Sequence, residues 1–96
     1  MSAPCQVTKT NRVVIRNSRG LHARAAAKFV KLAGTYNAEV TVVKNDVEVS
    51  GSSIMGLMML AAAPGCQLEL RARGPAASAA LAALAYLVAN KFDEDE

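Results

Sequence analysis

The chain has a single histidine, and its neighbours suit it to one kind of chemistry. His22 stands in the segment Asn17-Ser18-Arg19-Gly20-Leu21-His22-Ala23-Arg24-Ala25, where basic residues flank a glycine turn. A neutral imidazole is a nucleophile near physiological pH and can carry a charged adduct after attack. To hold an anion there, the protein must supply positive potential close by. The first backbone N–H groups of a helix do so, because they have no partner within the helix and lie at the positive end of its dipole. Arg24, two residues on, adds a guanidinium fork matched to phosphate oxygens. A cation at that end of a helix is unfavourable by itself, and an anion beside it accounts for its place. His22 is therefore a candidate covalent carrier of a phosphoryl group, with Ala23 and Arg24 as the phosphate-binding positions.

The elements that must present this histidine are legible on either side of it. From Ala23 onward, Ala26, Phe29, Val30 and Ala33 recur at the spacing of one helix face, Lys28 and Lys31 point away, and Gly34 can close the helix. Val13 to Ile15 reads as a strand leading into the turn Ser18-Arg19-Gly20. Glu39 to Val43 and Val47 to Val49 are β-rich runs joined through Lys44-Asn45-Asp46, where Asn-Asp can take the positive φ of a tight hairpin. Ser52 and Ser53 offer hydroxyl caps to a short helix in which Ile54, Leu57, Met58 and Ala61 share a face, and Pro64-Gly65 ends it. Gln67 to Arg73 alternates polar and apolar residues, as a strand with one face on a core does. Gly74-Pro75 leads into a last helix with Ala77, Ala80, Leu81, Leu84 and Val88 on its inner side. Strand, helix, two strands, helix, strand, helix with short links predicts an α+β layer fold, an antiparallel sheet covered on one face by helices.

Length and composition narrow the function. With 96 residues there is room for one domain and one core. We expect an ordered core over about residues 7 to 91, with a loose N-terminal segment and an acidic tail that frays because it adds negative charge at a negative helix end. Hydrophobic residues make up 52% of the chain and aromatics only 4%, so the core must be built from small aliphatic side chains. Of 11 basic and 8 acidic residues, four acids occupy the last four positions, which leaves the rest of the chain at +7 and its early part strongly basic. Such a field speeds association with anionic partners, whether acidic protein surfaces or nucleic acid. A nucleic-acid binder is the weaker reading, since no aromatic platform interleaves the basic residues.

Cys5 and Cys66 make neither a disulfide framework nor a metal set, and one histidine with no clustered carboxylates or Gly-rich phosphate loop cannot assemble an independent active site. No metal or cofactor is expected, and any catalysis would come from partners. Met1 to Gln6 lacks the apolar core of a secretory signal, so the cytoplasm is the expected compartment, and a monomer is expected. The most apolar stretch, Pro75 to Ala89, has about 15 residues against the ~20 that span a bilayer, which favours a core helix.

The segment Gly20-Leu21-His22-Ala23-Arg24, followed at the family's separation by Ser52-Ser53-Ile54-Met55-Gly56-Leu57-Met58, resembles HPr, the histidine phosphocarrier family of the bacterial phosphotransferase system. The resemblance covers about Arg12 to Lys91. It implies an open-faced sandwich of four strands and three helices in the order β-α-β-β-α-β-α. It also implies phosphorylation of His22 at Nδ1 with Arg24 as its partner residue, and phospho-Enzyme I, charged by phosphoenolpyruvate, as the donor. The implied acceptors are IIA proteins, either of sugar permeases or of the nitrogen-related branch. Ser53 matches the serine that an HPr kinase/phosphorylase modifies in many members. Three positions depart from the family pattern: Ala25 replaces a proline, Ser52 a frequent basic residue and Gly56 a frequent lysine.

Ile54, Met55, Met58 and Met59 cannot all face the core of a two-turn helix. Helix geometry sends Ile54 and Met58 inward and Met55 and Met59 outward. Exposed unbranched thioethers suit a surface that must fit several partners. With Leu21 and Gly56 these four form the expected docking surface beside His22.

Overall fold

Period-two burial builds the centre of the sheet. In the computed structural model, which describes residues 8–94, β1 (Lys9–Val14), β2 (Glu39–Lys44), β3 (Val47–Ser50) and β4 (Gln67–Arg73) pair antiparallel in the spatial order β1-β4-β2-β3. Central β4 sets Leu68 opposite Val13, Leu70 opposite Val42 and Ala72 opposite Val40, all of them buried. The intervening residues carry the charges of the open face. There Arg71 bonds Glu69 at 2.5 Å and Glu48 at 3.0 Å, and Arg73 pairs with Glu39. The β2–β3 link is the tight hairpin read from Asn45 and Asp46, whose φ values are 47° and 70°.

Three helices, α1 (Ala23–Ala33), α2 (Ile54–Met59) and α3 (Ala77–Ala89), cover the apolar face, so the observed order is the expected β-α-β-β-α-β-α. Ala77, Ala80, Leu81, Leu84 and Val88 of α3 are buried over β1 and β4, and the small alanines allow the close approach that the composition requires. Helix α1 buries Ala25, Ala26, Phe29 and Ala33, with Val30 half-buried at the margin. Gly34 does close α1, but in a right-handed conformation (φ −68°) with its N–H on Val30 O at 3.0 Å, and not through the left-handed cap open to glycine. No helix among the described residues is long and apolar enough to cross a membrane.

Two expectations are corrected at the C-terminus. The acidic tail is not frayed as far as Glu94; Asp95 and Glu96 lie outside the described residues, as do residues 1–7 with Cys5. A single 3-10 turn at Lys91–Asp93 folds the chain back, and Phe92 is fully buried in the core. Lys28 does not point away into solvent. Its Nζ donates to Phe92 O at 2.7 Å, because the returning tail passes over the flank of α1. The dipole penalty on acids at a helix end is small beside burial of a whole phenyl ring.

Candidate functional site

The loop before α1 is fixed by backbone before any side chain acts. Gly20 has φ +67°, and a Cβ placed there would lie 2.3 Å from Ala62 O. That approach lets Leu21 N donate to Ala62 O at 2.9 Å, which ties the loop to the segment following α2. Leu21 then fills the core at 5% exposure. It anchors the site, and its expected place in the docking surface is withdrawn: so buried a side chain offers a partner almost nothing. Asn17 closes the turn from beneath, accepting the Gly20 N–H on its backbone oxygen at 3.1 Å and donating its Nδ2 to Gly20 O at 2.7 Å.

His22 is the N-cap of α1, with extended backbone (φ −78°, ψ 179°) and its carbonyl accepting from Ala26 N at 2.8 Å. No side chain caps this end. The amides of Ala23, Arg24 and Ala25 therefore have no acceptor within the helix. Arg24 is exposed and, among the described residues, forms no ion pair. The structure thus brings His22, the free amides of Ala23 and Arg24, and an uncommitted guanidinium to one helix end.

Sequence reasoning missed two members of this site. Glu94 returns on the tail to accept a hydrogen bond from His22 Nε2, and its other oxygen accepts from Asn17 Nδ2 at 3.1 Å. The Glu94 side chain is only 7% exposed, against 23% for that of His22. Burial works to raise the Glu94 carboxyl, but the hydrogen bonds from His22 and Asn17, with the charges of His22 and Arg19, outweigh it and hold the carboxyl below its ordinary range. His22 Nδ1 has no hydrogen-bond partner among the described residues. Asn17 could have been flagged as a turn-initiating asparagine. For Glu94 the sequence carries no signal, because its contact spans 72 positions and depends on the path of the tail.

Helix α2 packs beside α1. Ser53 is its N-cap, with Oγ accepting the Gly56 N–H at 2.9 Å, as its sequence position predicts. The inward role belongs to Leu57 and Leu60, at 0% and 4% exposure, and not to Ile54 and Met58. Those two are 40% and 41% exposed, and Met55 and Met59 are 71% and 77% exposed. Six residues give α2 a narrow inner stripe that one leucine per turn fills, which pushes its neighbours to the margin. All four side chains therefore lie on an apolar surface patch, while Gly56 lies close to Val49, where a Cβ would be 3.2 Å from Val49 Cβ. No group of three His, Cys, Asp or Glu residues among those described could hold a metal ion, and Cys66 is a half-buried free thiol.

Comparison with known proteins agrees with this geometry. Residues 9–90 match the family model described as the PTS HPr component phosphorylation site. The chain is 51% identical over 85 residues to the phosphocarrier protein HPr of Pseudomonas aeruginosa, covering 88% of this chain and 94% of that protein. It is 45% identical over 89 residues to the phosphocarrier protein NPr of Shewanella violacea, covering 92% and 98%. Among solved structures, that of HPr-C-His from Thermoanaerobacter tengcongensis superposes with a TM-score of 0.87 at 38% identity, covering 92% of this chain and 99% of that one. The chain belongs to the HPr family, the phosphocarrier proteins of the phosphotransferase system.

Proposed function

We propose that His22 is the residue that carries the phosphate, loaded at Nδ1 by phospho-Enzyme I and unloaded onto a IIA protein. The observation that supports this most directly is the arrangement of the ring at an uncapped helix end. Nε2 is engaged by Glu94, Nδ1 is unpartnered among the described residues, and the amides of Ala23 and Arg24 follow. A phosphoryl group there would meet backbone donors, the positive end of α1 and the Arg24 guanidinium, together worth on the order of 1–3 kcal/mol at a partly exposed site. That is enough to hold the group and too little to trap it. The rest of transition-state stabilisation falls to the partner, which must approach in line with the N–P bond.

The apolar patch of Ile54, Met55, Met58 and Met59, with Gly56 among them, is the proposed docking surface for these partners. Ser53, half-buried at the start of the same helix, is the proposed site of regulatory phosphorylation. A phosphate there adds roughly −1.5 to −2 charges to that surface and would oppose an acidic partner. The protein is proposed to act in the cytoplasm as a monomer, in the sugar-linked branch. The similarity to an NPr protein favours the nitrogen-related branch as the second reading, and relative transfer rates from the two classes of Enzyme I separate them.

Incubation of the purified protein with Enzyme I and phosphoenolpyruvate is expected to yield one acid-labile phosphohistidine. His22→Ala is expected to abolish the labelling. Equal labelling of the His22→Ala protein would refute the assignment.

A further inference from the structure

A run of three left-handed residues without a glycine follows α3: Lys91, Phe92 and Asp93 have φ of 57°, 55° and 62°. Side chains resist that conformation, and such a run persists only where its surroundings impose it. Here they do. Phe92 is completely buried, Lys28 Nζ holds its carbonyl at 2.7 Å, and Asp93 N and Glu94 N bond back to Asn90 O and Lys91 O at 2.9 and 3.0 Å. These four ties deliver one side chain, that of Glu94, to His22 Nε2, where Asn17 Nδ2 donates to its second oxygen.

We infer that Glu94 is a positioning residue for the relay. Its carboxylate accepts the Nε2–H and so holds the neutral imidazole in the tautomer whose lone pair is on Nδ1. This rests on the reading of His22 as the carrier. A ring nitrogen engaged by a carboxylate is the donor nitrogen, and the other is then free to act as a base or nucleophile. During loading, the Nδ1 lone pair forms the N–P bond as the bond from phosphorus to the donor atom breaks, its electron pair leaving with the donor. The Nε2 proton stays on the ring, which becomes cationic and faces the Glu94 carboxylate. On delivery the N–P bond breaks, its pair returns to Nδ1, and the same neutral tautomer is restored without a proton entering or leaving bulk water. Asn17 donates to the second carboxylate oxygen, and Nδ1 is left without a hydrogen-bond partner among the described residues.

The test measures tautomer and rate together. In protein with 15N-labelled histidine at alkaline pH, two-bond nitrogen–proton correlations are expected to show the Nε2–H form predominating. In Glu94→Ala that preference is expected to disappear, and the initial rate of labelling by phospho-Enzyme I to fall roughly ten-fold, the lower end of what is lost when a carboxylate orienting a metal-bound histidine is removed. Asp93→Asn removes a neighbouring charge of the same tail, tolerates a left-handed backbone, and is expected to change neither reading. An unaltered tautomer in Glu94→Ala, or labelling as fast as or faster than in the unmodified protein, would overturn the inference while leaving His22 as the carrier. Labelling that survives His22→Ala would instead remove the carrier reading and this inference with it.

Discussion

Where α2 begins, Ser53 Oγ accepts the Gly56 N–H at 2.9 Å, so the helix satisfies part of its own exposed end. Where α1 begins, the N-cap residue is a histidine whose side chain turns away to Glu94, and no side chain caps the first-turn amides. The two ends lie on neighbouring helices of one surface and differ in what they leave unsatisfied. A serine at N-cap stabilises a helix by about 1 kcal/mol, and its absence from α1 leaves that potential for an anion. One end is thus closed by its own side chain and the other left open, separated by a single choice of N-cap residue. The open end, having no cap of its own, must be located from outside: by the Gly20–Ala62 contact below and the returning tail beside it.

If outside support sets the geometry of the α1 end, breaking that support must cost more than breaking the self-made cap of α2. The largest effect is expected for Gly20→Ala. A Cβ at φ +67° must move away from Ala62 O, which it would approach to 2.3 Å, and the Leu21–Ala62 hydrogen bond goes with it. Left-handed strain and the clash together are expected to lower stability by about 3 kcal/mol. Urea unfolding measures this, and phosphoryl loading of His22 should slow in the same variant at denaturant-free conditions. A loss below about 1 kcal/mol would mean that the loop is not located by this contact.

Removal of the Ser53 hydroxyl comes next. Ser53→Ala is expected to cost about 1 kcal/mol in urea unfolding through loss of the N-cap and to leave the rate of His22 loading unchanged, since Leu57, which anchors α2, is untouched. A slowed loading rate at full folding would join the two helix ends into one site and dissolve the distinction between them.

Much of this contrast was readable in the chain. A lone histidine next to Gly20 and Arg24, a serine one residue before a short apolar run, and an Asn-Asp pair between β-rich segments each act within a few residues, so local stereochemistry settles them. What escaped detection acts over long separations. Glu94 meets His22, Lys28 meets Phe92, and Leu21 N meets Ala62 O only after the sheet has set the distances. Ile54 and Met58 lie outside the core, where helical periodicity alone does not place them, for a related reason. Helical periodicity gives directions around an axis, but how wide a stripe is buried depends on the neighbour, and α2 is six residues long. The sign of its charge alone sends the acidic tail away from the helix end, whereas the buried ring of Phe92 decides its path.

The smallest effect separates the two ends by pH. At α2 the capping group is a hydroxyl, which does not titrate in the acid range, so the deficit of Ser53→Ala is expected to be constant from neutral pH to about pH 3. At α1 the tail is held by a carboxylate lowered below its ordinary value of 4.5 through hydrogen bonds from His22 and Asn17 and the nearby charges of His22 and Arg19, which prevail over burial. A carboxyl that binds its proton less readily folded than unfolded stabilises the fold fully above the unfolded value, and the contribution is lost as pH falls from there through the folded one. The difference in unfolding free energy between the unmodified protein and Glu94→Gln is therefore expected to be fully present at about pH 5, on the order of 0.5–1 kcal/mol, and to shrink toward zero below 4.5. Were it to grow on acidification, the carboxyl would be raised on folding, and the tail would be held at His22 by the burial of Phe92 with no help from the Glu94 charge.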